Sequence, residues 1–291
     1  MDGEETVSFR AGDITLAGSV QLPPGLRPGE RRPAIVIMHG FGGHRDGPQQ
    51  RWSTRRFAEW GYVTLRFDFR GCGESGGTRG RIIPAEQVAD ARAAVDYMAS
   101  RPEVDPARIA LSGTSYGGLV AVGAAGADAR IAAVIAQGGW ASGERMFRTL
   151  HATAEKWSRF TDMIERGRRH RAATGQPLTV HRFDIIPVPE ALRHNIDPRS
   201  IYDFPTDTAE TTLAFSVEDA VARIAPRPLF LMHAAEDPVI AAQNSWDLFA
   251  RAGQPCDIYV VSGVDHFMFG ADDPRVVDAV RNWLGRYFPA G

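Results

Sequence analysis

Lysine is nearly missing from this sequence: Lys156 stands alone among 33 basic residues, and every other one is arginine. With 35 acidic residues the formal net charge is -2, so the chain as a whole has no field that would draw nucleic acid or an anionic membrane. Cysteine is almost as scarce. Cys72 and Cys256 are too few for a disulfide scaffold. No apolar run approaches the ~20 residues that a membrane span requires. The acidic start, Met1-Asp2-Gly3-Glu4-Glu5, lacks the basic and apolar regions of a signal peptide. These absences lead to the expectation of a cytoplasmic protein with neither nucleic acid nor membrane as partner. Histidine–carboxylate clusters at ligand spacing are also missing, so no metal and no cofactor are expected.

What remains is an ordinary globular composition in 291 residues, enough for one large core with or without a smaller insertion. From Thr6 to Leu22 apolar residues alternate around a Gly12-Asp13 turn, which predicts an antiparallel hairpin. Ala34 to Met38 is a continuous apolar run, the mark of a strand buried on both faces of a parallel sheet. Further strands are expected at Tyr62 to Phe67, Ile109 to Leu111, Ile131 to Ala136, Leu229 to Met232 and Asp257 to Val261. Helical spacing falls between or after them, near Ser53 to Trp60, Glu86 to Ser100, Val217 to Ile224, Ala242 to Ala252 and Pro274 to Tyr287. That alternation predicts an α/β fold with a mostly parallel sheet flanked by helices. It stops between Trp140 and about Thr212. Residues 140–212 are therefore expected to form an inserted helical cap, and 1–139 with 213–291 the core domain.

Gly113-Thr114-Ser115-Tyr116-Gly117 matches G-x-S-x-G, in which a serine sits on a sharp turn between a strand and a helix. A second match, Gly73-Glu74-Ser75-Gly76-Gly77, shows that the pattern by itself is weak. Context separates the two. A strand (Ile109 to Leu111) feeds the first and a helix (Gly117 to Val122) leaves it, whereas Thr78-Arg79-Gly80-Arg81 after the second reads as a loop. Ser115 is the candidate nucleophile. A serine hydroxyl needs an adjacent base, and on such an elbow the partners follow in the order acid, then histidine. Among the histidines only His266 lies beyond the acid candidates. Asp237, in the loop after Leu229 to Met232, is the acid that would fix its tautomer, with Glu236 and Asp265 as rivals. A developing oxyanion needs preset N–H donors. Tyr116 beside the nucleophile is one, and Phe41 in the loop His39-Gly40-Phe41-Gly42-Gly43 is the other. His39 reads as a structural residue under that loop.

Together with Asp68-Phe69-Arg70-Gly71-Cys72-Gly73-Glu74-Ser75 and Asp105-Pro106-Ala107-Arg108-Ile109, these landmarks resemble the α/β-hydrolase superfamily over nearly the whole length. Within it the chain is similar to the dienelactone hydrolase and prolyl-oligopeptidase-like branch, which includes cinnamoyl esterases and X-Pro dipeptidyl peptidase-like enzymes. Two departures stand out. Ala234 replaces the glycine of the usual His-Gly-x-x-Asp loop, and no propeller segment accompanies the hairpin. The resemblance implies an α/β-hydrolase sheet, a Ser115–His266–Asp237 triad and hydrolysis of a carboxylic ester through an acyl-enzyme. Amide, thioester or carbon–carbon cleavage and acyl transfer use the same machinery and stay open, as does a non-catalytic ligand-binding module. The expected partner is a small-molecule substrate with an apolar or aromatic acyl part, met by Trp140, Phe267 and Arg45, and a homodimer is left open. Phe147, Trp157, Phe160 and Phe183 in the insertion either line that pocket or pack the cap. The run Arg166 to Arg171 is either a solvated helix face or a positive rim that steers carboxylates.

Overall fold

The computed structural model describes residues 4–291. Strands β1 (Glu4–Ala11) and β2 (Ile14–Gln21) form the antiparallel hairpin, with Ala11 opposite Ile14 and Gly12 turning the chain at a φ of 65°. Then come β3 (Arg32–Met38), α1 (Pro48–Glu59), β4 (Val63–Phe67), α2 (Pro84–Ala99), β5 (Val104–Thr114), α3 (Tyr116–Ala127) and β6 (Ile131–Gln137). An excursion follows: α4 (Gly143–Leu150), α5 (Ala154–Thr174), β7 (Thr179–His181), α6 (Arg182–Ile185), a 3-10 turn at Glu190–Asn195, β8 (Asp203–Pro205) and α7 (Thr206–Ala214). The chain closes with α8 (Glu218–Ala222), β9 (Leu229–Ala234), α9 (Gln243–Arg251), β10 (Cys256–Val261) and α10 (Pro274–Tyr287).

Eight strands make one sheet in the order β1-β2-β4-β3-β5-β6-β9-β10, parallel from β4 to β10 and antiparallel at β1-β2 and β2-β4. Side chains of β3 alternate between its two faces. Ala34, Val36 and Met38 join α2 and α3 in one apolar layer, while Ile35 and Ile37 join α1 and α10 in the other. The spacing Val276, Val280, Trp283, Leu284 puts one face of α10 onto that second layer. Asp273 starts the helix by accepting from Arg275 N, with Pro274 at its first turn.

The chain leaves β3 toward β4 on one side, while β5 lies on the other. The loops after β3 and β5 therefore face each other at the carboxyl ends of adjacent strands, where open α/β sheets place their ligands. The excursion begins and ends at one point: Ser142 bridges Ser216, and Val217 N donates to Ala141 O. Within it the three-residue strands β7 and β8 pair antiparallel, a feature the sequence reading lacked. Three residues are too few to show a period, and the pairing joins segments more than twenty positions apart. Both cysteines are buried free thiols. Among the described residues no helix is long and apolar enough to cross a membrane.

Candidate active site

Ser115 lies between the end of β5 and the start of α3 with φ 56° and ψ -119°, a backbone conformation that L-residues seldom adopt. The turn is held by Ser115 N donating to Gln137 O (2.6 Å) and by Gly118 N donating to Ser115 O (2.9 Å). Its glycines are steric requirements. A Cβ on Gly113 would stand 2.0 Å from Gly117 O. The rival Ser75 sits in a loop instead, where its Oγ accepts from Ala17 N and donates to Asp68 O, so its hydroxyl is committed to structure.

Asp237 follows β9 and His266 follows β10, and their side chains meet: His266 Nδ1 donates to Asp237 Oδ2 at 2.7 Å. Asp237 Oδ1 accepts from the Val239 and Ile240 amides at 2.8 Å each. Burial pushes this carboxyl's pKa up. The interaction with His266 and the hydrogen bonds from His233, His266 and Ile240 outweigh that and hold it well below the usual carboxylate range. With its Nδ1 proton on Asp237, the imidazole leaves Nε2 free for the cleft that Ser115 and His266 both line. No hydrogen bond joins Ser115 Oγ to the ring among the described residues, a contact that commonly tightens only around substrate. Glu236 is exposed and Asp265 caps the following turn by accepting from Phe267 N, so neither rival reaches the ring.

The loop after β3 packs under Ser115. His39 is buried beneath it, donating from Nδ1 to Gly40 O (2.8 Å) and accepting at Nε2 from Phe69 N (3.2 Å). Burial lowers its pKa to about 4. Both ring nitrogens are thereby occupied in a neutral imidazole. The N–H groups of Phe41 and Tyr116 donate to nothing else among the described residues. Tyr116 opens α3, where helix geometry leaves its N–H unpaired. Its side chain is buried, and the hydroxyl donates to Gln87 Oε1 at 3.0 Å.

The cleft over these residues holds about 670 Å³ of space, part of it open to solvent. Phe267 lines it. Trp140 does not: it is fully buried against the Tyr116 ring, 5.8 Å between centroids, because the chain turns under the elbow before leaving the core. Arg45 is also corrected. Its guanidinium bonds Asp68 and Glu74 beneath the loop, so its charge is neutralised inside the protein and it lies off the cleft. Asp68 additionally accepts from Arg45 N and Glu74 N, which explains that motif as a clamp between two loops.

The insertion supplies cleft residues with no sequence signal, among them Arg182, Ile186, Val188, Asn195 and Asp197. They lie on a one-turn helix and irregular segments, where neither period nor motif marks a residue. The insertion's aromatics take the packing role instead: Phe147 and Phe160 are buried against each other, 4.6 Å between centroids. In the basic run, Arg168 pairs with Glu165 and Glu210, Arg169 with Glu165, and Arg171 with Glu210 and Asp207; this is a solvated, charge-balanced face. Among the described residues no group of three or more histidine, cysteine, aspartate or glutamate side chains is placed to hold a metal ion.

Comparison with known proteins places this architecture. A hypothetical protein of Pseudomonas aeruginosa has a crystal structure that superposes with a TM-score of 0.85 at 26% identity, covering 98% of this chain and 94% of that one. An uncharacterised 31.7 kDa protein from the traX-finO intergenic region of Escherichia coli is 26% identical over 265 residues, 88% of this chain and 92% of its own. The thiohydrolase aneE of Aspergillus aculeatus is 35% identical over 136 residues, 46% of this chain and 42% of its own. Residues 29–273 match the serine aminopeptidase S33 family, and the chain thus belongs to that family of hydrolases within the α/β-hydrolase superfamily.

Proposed function

We propose that the protein is a serine hydrolase that cleaves a carboxylic ester through an acyl-enzyme. The observation that carries this reading is that Ser115, His266 and Phe41 line one cleft, with His266 Nδ1 bonded to Asp237 and the Phe41 N–H, like that of Tyr116 next to Ser115, left unpaired. Ser115 Oγ attacks the acyl carbon while His266 Nε2 takes its proton, and Asp237 stabilises the imidazolium. The two N–H groups hold the carbonyl oxygen as it becomes negative. Collapse expels the alcohol, protonated by His266. Water then repeats the sequence from the other side and releases the acid.

Residues 140–212 serve in this reading as a cap whose inner surface shapes the acyl pocket. Ile186, Val188 and Ile196 from the cap and Val239 and Phe267 from the core give that pocket an apolar wall. An amide substrate with a free amine fits less well. The acid that the cap brings to the cleft, Asp197, has both oxygens on Arg199. A second reading, a thioester substrate, is favoured by the similarity to the thiohydrolase.

Burst kinetics with short and aromatic p-nitrophenyl esters test the proposal, with Ser115→Ala as control. A burst followed by turnover, both lost in the variant, is the expected result. Turnover that survives in Ser115→Ala overturns it.

A further inference from the structure

One of the contacts between the insertion and the oxyanion loop is a buried cation. Arg182 opens α6 and is buried, yet no carboxylate pairs with it among the described residues. Its Nη1 donates to Ile201 O (2.9 Å) and its Nη2 to Phe41 O, while Nε has no partner. Burial lowers its pKa only to about 10, so it is charged at neutral pH. Buried charges are normally paired, because taking an unpaired one out of water is strongly unfavourable. An apolar residue would fill this place at less cost if packing were the only demand.

The pattern of bonds around Phe41 shows what the cation does. The three central carbonyls of the loop, those of Gly40, Phe41 and Gly42, are tied down. Gly40 O accepts from Gly43 N (3.1 Å) and His39 Nδ1, Phe41 O accepts from Arg182, and Gly42 O accepts from Ile201 N (2.8 Å). Two of these ties come from the insertion. It also stacks Phe204 on the Phe41 ring at 4.5 Å, against a glycine whose added Cβ would lie 2.4 Å from Phe204. The Phe41 N–H, like those of Gly40 and Gly42, has no partner among the described residues, and Phe41 lines the cleft together with Ser115.

Resting on the hydrolase reading above, we propose that Arg182 is a positioning residue for the oxyanion hole: it fixes the Phe41 carbonyl from the cap side, and through it the adjoining peptide that carries the Phe41 N–H, and its unneutralised charge favours the negative oxygen that forms there. Both effects grow as charge develops, so they act on the transition state and leave ground-state binding nearly untouched. The cap is then part of the catalytic scaffold as well as a wall of the pocket.

The test compares wild type with Arg182→Met and Arg182→Gln on a neutral p-nitrophenyl ester, with rates normalised to folded protein by near-ultraviolet circular dichroism. The expected result is a kcat loss of roughly 100-fold in Arg182→Met, the scale of one lost oxyanion donor, with KM within about threefold. Affinity for an alkyl boronic acid should fall in parallel, since that adduct carries the same negative oxygen. Arg182→Gln, which keeps one donor and loses the charge, should fall between the two and decides the matter if the methionine variant does not fold. A raised KM with kcat kept would make Arg182 an anchor for a substrate group and overturn the proposal. So would unchanged kcat with only a lower Tm. Wild type that neither turns over the ester nor is phosphonylated at Ser115 by a fluorophosphonate removes the hydrolase reading, and this proposal with it.

Discussion

Asp237 Oδ2 lies 2.7 Å from Nδ1 of His266, a residue 29 positions further along the chain, and both side chains are buried. In the proposed triad this bond selects the tautomer with a bare Nε2. Asp237→Asn keeps the shape but offers the ring an amide, which favours the wrong tautomer. The expected loss in kcat is about 10⁴-fold with the fold intact. Steady-state kinetics on the variant, with circular dichroism for folding, check it.

If the oxyanion donor at position 116 is the backbone N–H, the tyrosine hydroxyl is dispensable for chemistry. Tyr116→Phe leaves Gln87 Oε1 without its donor in a buried site. A stability loss of about 1–2 kcal/mol in urea unfolding, with kcat within twofold, is the expected outcome. A large fall in kcat would assign the side chain a direct part.

The Arg45 clamp separates a buried from an exposed ion pair within one guanidinium. The Asp68 side chain is 1% exposed and that of Glu74 73%. Asp68→Ala strands Arg45 in the interior and should cost roughly 3–5 kcal/mol. Glu74→Ala should cost less than about 1 kcal/mol. Neither is expected to change selection between neutral and anionic esters, because the cation they hold lies off the cleft. Denaturant melts and paired kcat/KM values measure both halves of this prediction.

His39 sets a pH dependence of stability. Its folded pKa of about 4 lies below the unfolded value of 6.5, so the unfolded state binds the extra proton first as pH falls. The stabilisation is complete above pH 6.5 and is lost on descent toward pH 4, in total about 3 kcal/mol. Unfolding free energies at pH 7.5 and 4.5 should differ more in wild type than in His39→Asn, which keeps a donor for Gly40 O and cannot titrate. Equal differences in the two proteins would refute it.

Much of this protein is legible in its sequence because the deciding forces are local. A short continuous apolar run bounded by turn residues reads as a strand covered on both faces, as β3 is, and Asp273-Pro274 before a run of helical spacing marks where α10 begins. The elbow is legible for the same reason: a serine between two glycines, after a strand and before a helix, has few other places to go. Asp237 and His266 are readable through chain order, since the loops after successive parallel strands arrive at one edge of the sheet.

Partner choice across the fold is a different matter, and there tertiary structure alone decided. Nothing near Arg45 in sequence shows that it turns to Asp68, 23 positions away. Nothing near Arg182 shows that it spans 141 positions to reach Phe41 O. Trp140 and Phe267 are both large, apolar and close to the site in sequence, yet one is packed under the elbow and the other lines the cleft. Which side of a loop a residue faces depends on surfaces built by distant segments. A short-range pattern holds no record of them, and the wall of the cleft is made almost entirely of such choices.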